Sequence, residues 1–300
     1  MYRIGIIGTE NSHAMAFSKI INLNDPETGK PRYPDVRVTG IYGPDPDSPK
    51  KIMDEAGVDF IAREPEEFFG QVDAMCITCR KGSLHYKYAL PFVEKGMPVF
   101  VDKPFTSDPD EAERLIGAAK KSGSRICGGS SARLVTDVET IRRIIRRLIE
   151  KKEFITASLN YAADPSSEYD GFYFYAPHLT EIALEVFGKD VKSLVTFEKN
   201  NSRISIWRYA GFDITLNFTK DTHESGALIF AKNCNIFREI DVGHHTDIYT
   251  AYALEVEHLV HMIRTGEMPR SYEDLILHVK MIRAIEESVK TGKEISCEGI

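Results

Sequence analysis

Apolar positions follow two different rhythms along the 300-residue chain. Up to about residue 128, short continuous apolar runs alternate with stretches of helical period. Residues 2–8 (YRIGIIG) read as a strand that leads into a helix over about 12–23, with Phe17, Ile20 and Ile21 on its apolar face. Residues 36–42 form the second strand, and the helix after it stops at Gly57. Residues 72–79 (VDAMCITC) give the next strand, followed by a helix over about 84–95 closed by Gly96. The run VFVDKPF at 99–105 is a strand that halts at Asp102, Lys103 and Pro104. Asp108 then caps a helix with Pro109 at its first position and acids in its first turn. That helix closes at Gly123, and 125–128 supplies one more strand. Continuous apolar runs suit strands buried on both faces, and single helices between them force a doubly wound parallel sheet.

Beyond residue 128 the rhythm changes. A helix over 136–149, with Thr136 as its cap and Glu139 three residues on, precedes a strand at 154–161. A helix at 177–187 ends at Gly188. Five short strands follow between 191 and 240 (SLVTFEK, RISIWRY, FDITLNF, GALIFA, NIFREI) with no helical period among them, which predicts an antiparallel meander. Two helices, 247–265 and 272–291, finish the chain. The expected division is 1–128, an α/β doubly wound parallel sheet, and 129–300, an α+β domain with a mainly antiparallel open sheet.

Charge and cysteine content narrow the function classes. A formal charge of -7 disfavours nucleic acid or an anionic membrane as the main partner. No apolar run approaches the roughly 18 residues that span a bilayer. Met1 leads straight into a strand, and five cysteines argue against a disulfide framework, so the expectation is a cytoplasmic protein.

Candidate chemistry gathers at strand ends, because ligands of open α/β sheets sit beyond the carboxyl ends of the strands. Asp102 and Lys103 therefore point at a crevice. The first strand ends in Gly8-Thr9-Glu10-Asn11-Ser12-His13: Gly8 stands as the first glycine of a dinucleotide fingerprint, while Glu10 and His13 replace the other two. The helix amino terminus still offers N–H groups to an anion, and either Glu10 or Asn11 caps it. Gly43 ends the second strand where an acid would hold a ribose, with Asp45, Lys50 and Lys51 just beyond. Cys76 and Cys79 form a CxxC, but three apart on a strand they face opposite sides. In the 177–187 helix, Leu179, Ile182, Ala183 and Val186 make the buried stripe. His178, Glu181 and Glu185 share another face. His178 in the first turn suits proton exchange with an alcohol. The aromatics Tyr169, Phe172, Tyr173, Phe174 and Tyr175 either wall a sugar-sized pocket or pack. Val256, Leu259, Val260 and Ile263 turn His258 and His261 outward. His244 and His245, joined to His178 and Glu181, would make a metal site. Arg142, Arg143, Arg146 and Arg147 read as a solvated helix face.

In the order of its domains, in DKPF at 102–105, in VDAMCITCRKGSLHYKYA with His85 at its helix start, and in its closing helices, the chain resembles the glucose–fructose oxidoreductase / inositol dehydrogenase / MocA family nearly end to end. The resemblance implies a Rossmann-type first domain carrying NAD or NADP, held by Gly8, Thr9, Glu10, Asn11, Gly43, Thr78, Cys79, His85 and Asp102. It implies hydride transfer to or from a hydroxyl carbon of a sugar or polyol. Lys103 would polarise the reacting oxygen and His178 would remove its proton. The family's Asp four residues before that His is Phe174 here, so Glu181 or a nearby tyrosine takes its place. A homodimer or homotetramer is also implied. The rival readings are a non-redox binding or regulatory protein that has lost nicotinamide binding, and a metal-dependent lyase or isomerase.

Overall fold

The computed structural model describes residues 1–200, 202–222, 224–242 and 248–300, the side chains of 248 and 249 excepted. The chain forms two compact units, Met1–Gly129 with Tyr252–Ile276, and Ser130–Ala251 with Leu277–Ile300. The second domain is thus not the continuous 129–300 that the sequence suggests. Val256, Leu259, Val260 and Met262 belong to one buried cluster with Ile4, Phe17, Val38 and Phe100 of the first unit.

The first unit alternates β1 (Tyr2–Ile7), α1 (Ser12–Asn22), β2 (Val36–Tyr42), α2 (Asp47–Ala56), β3 (Phe60–Ile61), β4 (Ala74–Ile77), α3 (His85–Glu94), β5 (Val99–Asp102), α4 (Pro109–Ser122) and β6 (Ile126–Gly129). Its six strands lie in the order β3-β2-β1-β4-β5-β6, all parallel. Between β1 and β4 the order reverses, which opens the crevice where such sheets take ligands. Local signals act as read: Asp108 Oδ1 accepts from Asp110 N at 2.9 Å, while Gly57 and Gly123 close their helices at positive φ. The two-residue β3 is too short to register in a hydrophobic pattern.

The second unit holds α5 (Thr136–Glu150), β7 (Phe154–Ala162), α6 (Ala176–Phe187), β8 (Ser193–Lys199), β9 (Ser202–Arg208), β10 (Asp213–Thr219), β11 (Gly226–Ala231), β12 (Cys234–Glu239) and β13 (Ile295–Ser296). Helices α7 (Ile248–Thr265) and α8 (Tyr272–Thr291) each contribute to both units. The strand order is β12-β11-β7-β10-β9-β8-β13. The expected meander is interrupted, because β7 lies between β11 and β10 and pairs in parallel with β10. The inward residues of β7, Ala157, Leu159 and Tyr161, are buried, which favours a central place in the sheet. Every other neighbouring pair is antiparallel, so the sheet remains mainly antiparallel. Trp207, Leu216 and Phe218 join Val138 and Ile141 of α5 and Leu179 and Ile182 of α6 in one core. Val135, not Thr136, occupies the cap of α5. The other sheet face leaves Phe197, Ile204 and Phe237 exposed. No helix among the described residues is long and apolar enough to cross a membrane.

Candidate active site

Gly8 ends β1 at φ 106°, and a Cβ there would stand 2.3 Å from the backbone N of Cys79. Only glycine permits β1 and β4 to meet so closely at the crevice. The buried Thr78 completes the join: its hydroxyl reaches the carbonyls of Ile7 and Gly8, both at 3.2 Å. Asn11 holds the cap position of α1 but does not cap it. Its Nδ2 donates instead to Asp102 Oδ2 at 3.1 Å. Glu10 does not cap α1 either. Its Oε1 accepts from Arg80 N at 3.0 Å, and the Arg80 guanidinium donates to the Glu10 carbonyl. With no acid and no side-chain cap in its first turn, α1 keeps its N–H groups for an anion. The carboxylate that would repel that anion is turned to Arg80. The cradle therefore fits the diphosphate of a dinucleotide.

Asp102, fully buried at the end of β5, is the hub of this crevice. Its Oδ1 accepts from Lys103 N at 2.7 Å, and its Oδ2 lies 2.6 Å from His13 Nδ1. Burial alone would raise the Asp102 carboxyl. The His13 ring outweighs it, with help from Lys103 and His85, and holds it below the usual range. His13 itself is stacked on Phe17 and meets Tyr252 edge-on. The Lys103 side chain is almost wholly buried, and desolvation pulls its ammonium down to about 8. Asp102 and the buried Glu255 of α7 act in the opposite sense, and Arg80 adds to the lowering.

The remaining cofactor candidates serve mainly to shape the crevice. A Cβ on Gly43 would stand 1.7 Å from Thr9 Oγ1, which bonds Ser48 Oγ at 2.7 Å. Asp45 accepts from Ser48 N at 2.8 Å and Ser48 Oγ at 2.6 Å, and so organises the start of α2. His85 is buried with Nδ1 2.7 Å from Pro104 O and Nε2 2.8 Å from Cys79 O, tying the exit of β4 to the loop after β5. Cys76 and Cys79 are both free thiols, and burial raises each far above the ordinary range.

In the second unit α6 is buried on nearly every side rather than amphipathic. His178 and Glu181 therefore lie inside, not on a polar face. His178 Nδ1 is 2.6 Å from Ser130 Oγ, and its ring is flanked by Tyr161 at 5.1 Å and Tyr175 at 5.4 Å between centroids. Glu181 has partners of its own. Its Oε1 accepts from Ser130 N at 2.8 Å and lies 3.6 Å from His278 Nδ1, while Oε2 lies 3.4 Å from Arg133 Nε. Of the aromatic stretch, Phe172 packs against Phe218 in the core and Tyr169 against Phe174. The sequence reading missed Ser130, Arg133, His278, Tyr161 and Glu255. Ser130 carried one usable signal, since it follows the last residue of a parallel strand as Lys103 does.

His261 is exposed, whereas His258 is half-buried. His244 and His245 lie outside the described residues. Among the described residues no group of three or more His, Cys, Asp or Glu is arranged for a metal. Arg142 and Arg143 pair with Glu139 on the outer face of α5.

A parallel sheet whose order reverses at a glycine-ended strand, with an uncapped helix amino terminus beside it, defines a dinucleotide-binding domain. Residues 2–129 match the family model described as oxidoreductase family, NAD-binding Rossmann fold. A curated relative, scyllo-inositol 2-dehydrogenase (NADP(+)) IolU of Bacillus subtilis, is 27% identical over 90 residues, covering 30% of this chain and 26% of that protein. The fold extends further. The probable dehydrogenase from Thermotoga maritima superposes with a TM-score of 0.80 at 14% identity, over 99% of this chain and all of that one. The myo-inositol dehydrogenase of Lactobacillus casei in complex with NAD(H) and myo-inositol gives 0.80 at 12%, over 99% and 96%.

Proposed function

We propose that the protein is an NAD(P)-dependent oxidoreductase acting on a hydroxyl carbon of a sugar or polyol, with cyclic polyols such as inositols the first substrates to try. The observation that carries this reading is the buried Lys103, set on Asp102 beside an anion-ready helix start at the sheet's reversal point. The relatives that act on inositols support the substrate class. Gly8, Thr9, Asn11 and the first turn of α1 would hold the dinucleotide, with Thr78, Cys79, His85, Gly43 and Asp102 shaping the walls around it. When bound, its nicotinamide supplies the hydride acceptor or donor. Lys103 stabilises negative charge on the reacting oxygen, more strongly because it is shielded from water. His178 is assigned a proton-bearing role toward the substrate. Glu181 serves by holding Ser130 and not as a reacting group.

A homodimer or homotetramer joined through the open sheet face is part of the same reading, supported by the exposed Phe197, Ile204 and Phe237. Free cysteines at 76, 79, 127, 234 and 297 support a cytoplasmic location. The decisive experiment is a calorimetric titration of nucleotide-free protein with NADH and NADPH, then a polyol and sugar screen. Micromolar binding of one nucleotide and turnover of a polyol are expected. Absence of binding to both would favour a non-redox binding protein on this scaffold, the reading that the Glu10 carboxylate in the fingerprint loop supports.

A further inference from the structure

Ser130, the first residue after β6, is fully buried. Its backbone N–H donates to Glu181 Oε1 at 2.8 Å. Its Oγ accepts from Ala132 N at 3.2 Å and lies 2.6 Å from His178 Nδ1. A hydroxyl has one hydrogen and two lone pairs. Ala132 takes one lone pair, and among the described residues the hydrogen has a single acceptor in reach, Nδ1 of His178. Turned elsewhere, the hydrogen would be buried without a partner, which folded interiors avoid.

We infer that Ser130 is the positioning residue of His178: its hydroxyl donates to Nδ1 and holds the neutral ring with its proton on Nε2, as a hydrogen-bond donor toward a ligand oxygen. The inference rests on the reading of His178 as part of the substrate site. A carboxylate in this position would do the reverse. Able only to accept, it would draw the proton to Nδ1 and leave Nε2 as a base. A second proton on the ring is also disfavoured here, because Nδ1–H would turn the hydroxyl into an acceptor and strand its hydrogen. His178 thus departs from the proton-removing role that the family resemblance implies. Glu181 enters as the anchor of Ser130's backbone, with Arg133 and His278 against its carboxylate. Tyr161 and Tyr175 set the plane of the ring.

The test is nitrogen-15 NMR of the full chain labelled at histidine, with His178→Gln to assign the signals. At neutral pH, Nδ1 of His178 is expected as an unprotonated, hydrogen-bond-accepting nitrogen and Nε2 as a protonated one. Ser130→Ala should remove the hydrogen-bond shift at Nδ1. It should also lower kcat about tenfold with KM changed less than about threefold, and Ser130→Thr, which keeps the hydroxyl, should recover most of the loss. A protonated Nδ1 in the wild type overturns the inference, as does a Ser130→Ala variant with unaltered kcat and Nδ1 signal. The wild-type spectrum decides even where Ser130→Ala does not fold. It is read without substrate or dinucleotide, so the expected tautomer in a chain that turns over no polyol would sink the oxidoreductase reading and leave the assignment to Ser130 standing.

Discussion

Lys103 has two carboxylates acting to keep its charge, Asp102 next to it and Glu255 on α7, and still has its ammonium lowered to about 8 because burial desolvates it. Replacing it with methionine, which keeps the bulk, should cut turnover by about a hundredfold or more while the fold survives. Activity that needs the ammonium should fall above about pH 8. The same depression shapes stability. An ordinary lysine titrates near 10.5, so between about 8 and 10.5 the unfolded chain holds a proton that the folded chain has shed. Unfolding then takes up a proton, and stability rises with pH across that window. Chemical denaturation at pH 7 and pH 10 should show this rise in the wild type and a smaller one in Lys103→Met, the difference being on the order of 3 kcal/mol. Glu10 invites a second substitution. Glu10→Gln removes a carboxylate from the fingerprint loop and should tighten NADH or NADPH binding about threefold to tenfold by calorimetry, more at low salt. Unchanged affinity would mean that Arg80 already neutralises it.

Among the elements, the β1–α1 and β2–α2 junctions are built as one piece. Gly43 leaves room for Thr9, whose hydroxyl meets Ser48, and Ser48 is held by Asp45. Gly43→Ala should cost about 1–3 kcal/mol through overpacking. Thr9→Ala in the same chain should return part of it, so a double-mutant cycle should show strong coupling. This junction also shows where sequence reading stops. The longer strands and the helices of the first unit, with the end of α2 and both ends of α4, were legible because apolar runs, Gly57, Gly123 and the Asp108-Pro109 pair act through neighbours a few residues away. What Glu10 and Asn11 do was not legible, because their partners, Arg80 and Asp102, lie 70 and 91 residues off in sequence. The partners of Glu181 were hidden for a related reason. Helical spacing placed it near His178, but tertiary packing supplied Ser130, Arg133 and His278 as its partners. The parallel seating of β7 beside β10 escaped too, since a period of two reports a face and not a neighbour.

On the scale of the whole molecule, the first unit is not made from one stretch of chain. Val256, Leu259, Val260 and Met262 fill a core whose strands lie within residues 1–129. A fragment ending at Gly129 should therefore expose an apolar groove and melt well below the full chain. Burial of four such side chains is worth several kcal/mol, at about 1.5–3 kcal/mol each. Adding a peptide of residues 252–276 in trans should raise the fragment's Tm in a circular-dichroism melt, and a Leu259→Asp peptide should not. Light scattering of the full chain offers a companion check on the open sheet face. A dimer or tetramer that Phe237→Glu and Ile204→Glu together reduce to monomer is the expected outcome.

The split also bears on how the protein is made. During synthesis the six strands of the first sheet emerge first, yet the segment that completes their core is added only after residues 130–251. At about 5–20 residues per second this leaves the nascent sheet incomplete for roughly ten seconds. The faces that α7 will cover stand open to chaperones in that interval, and ribosome stalling between residues 130 and 251 would be the most hazardous point in the protein's production.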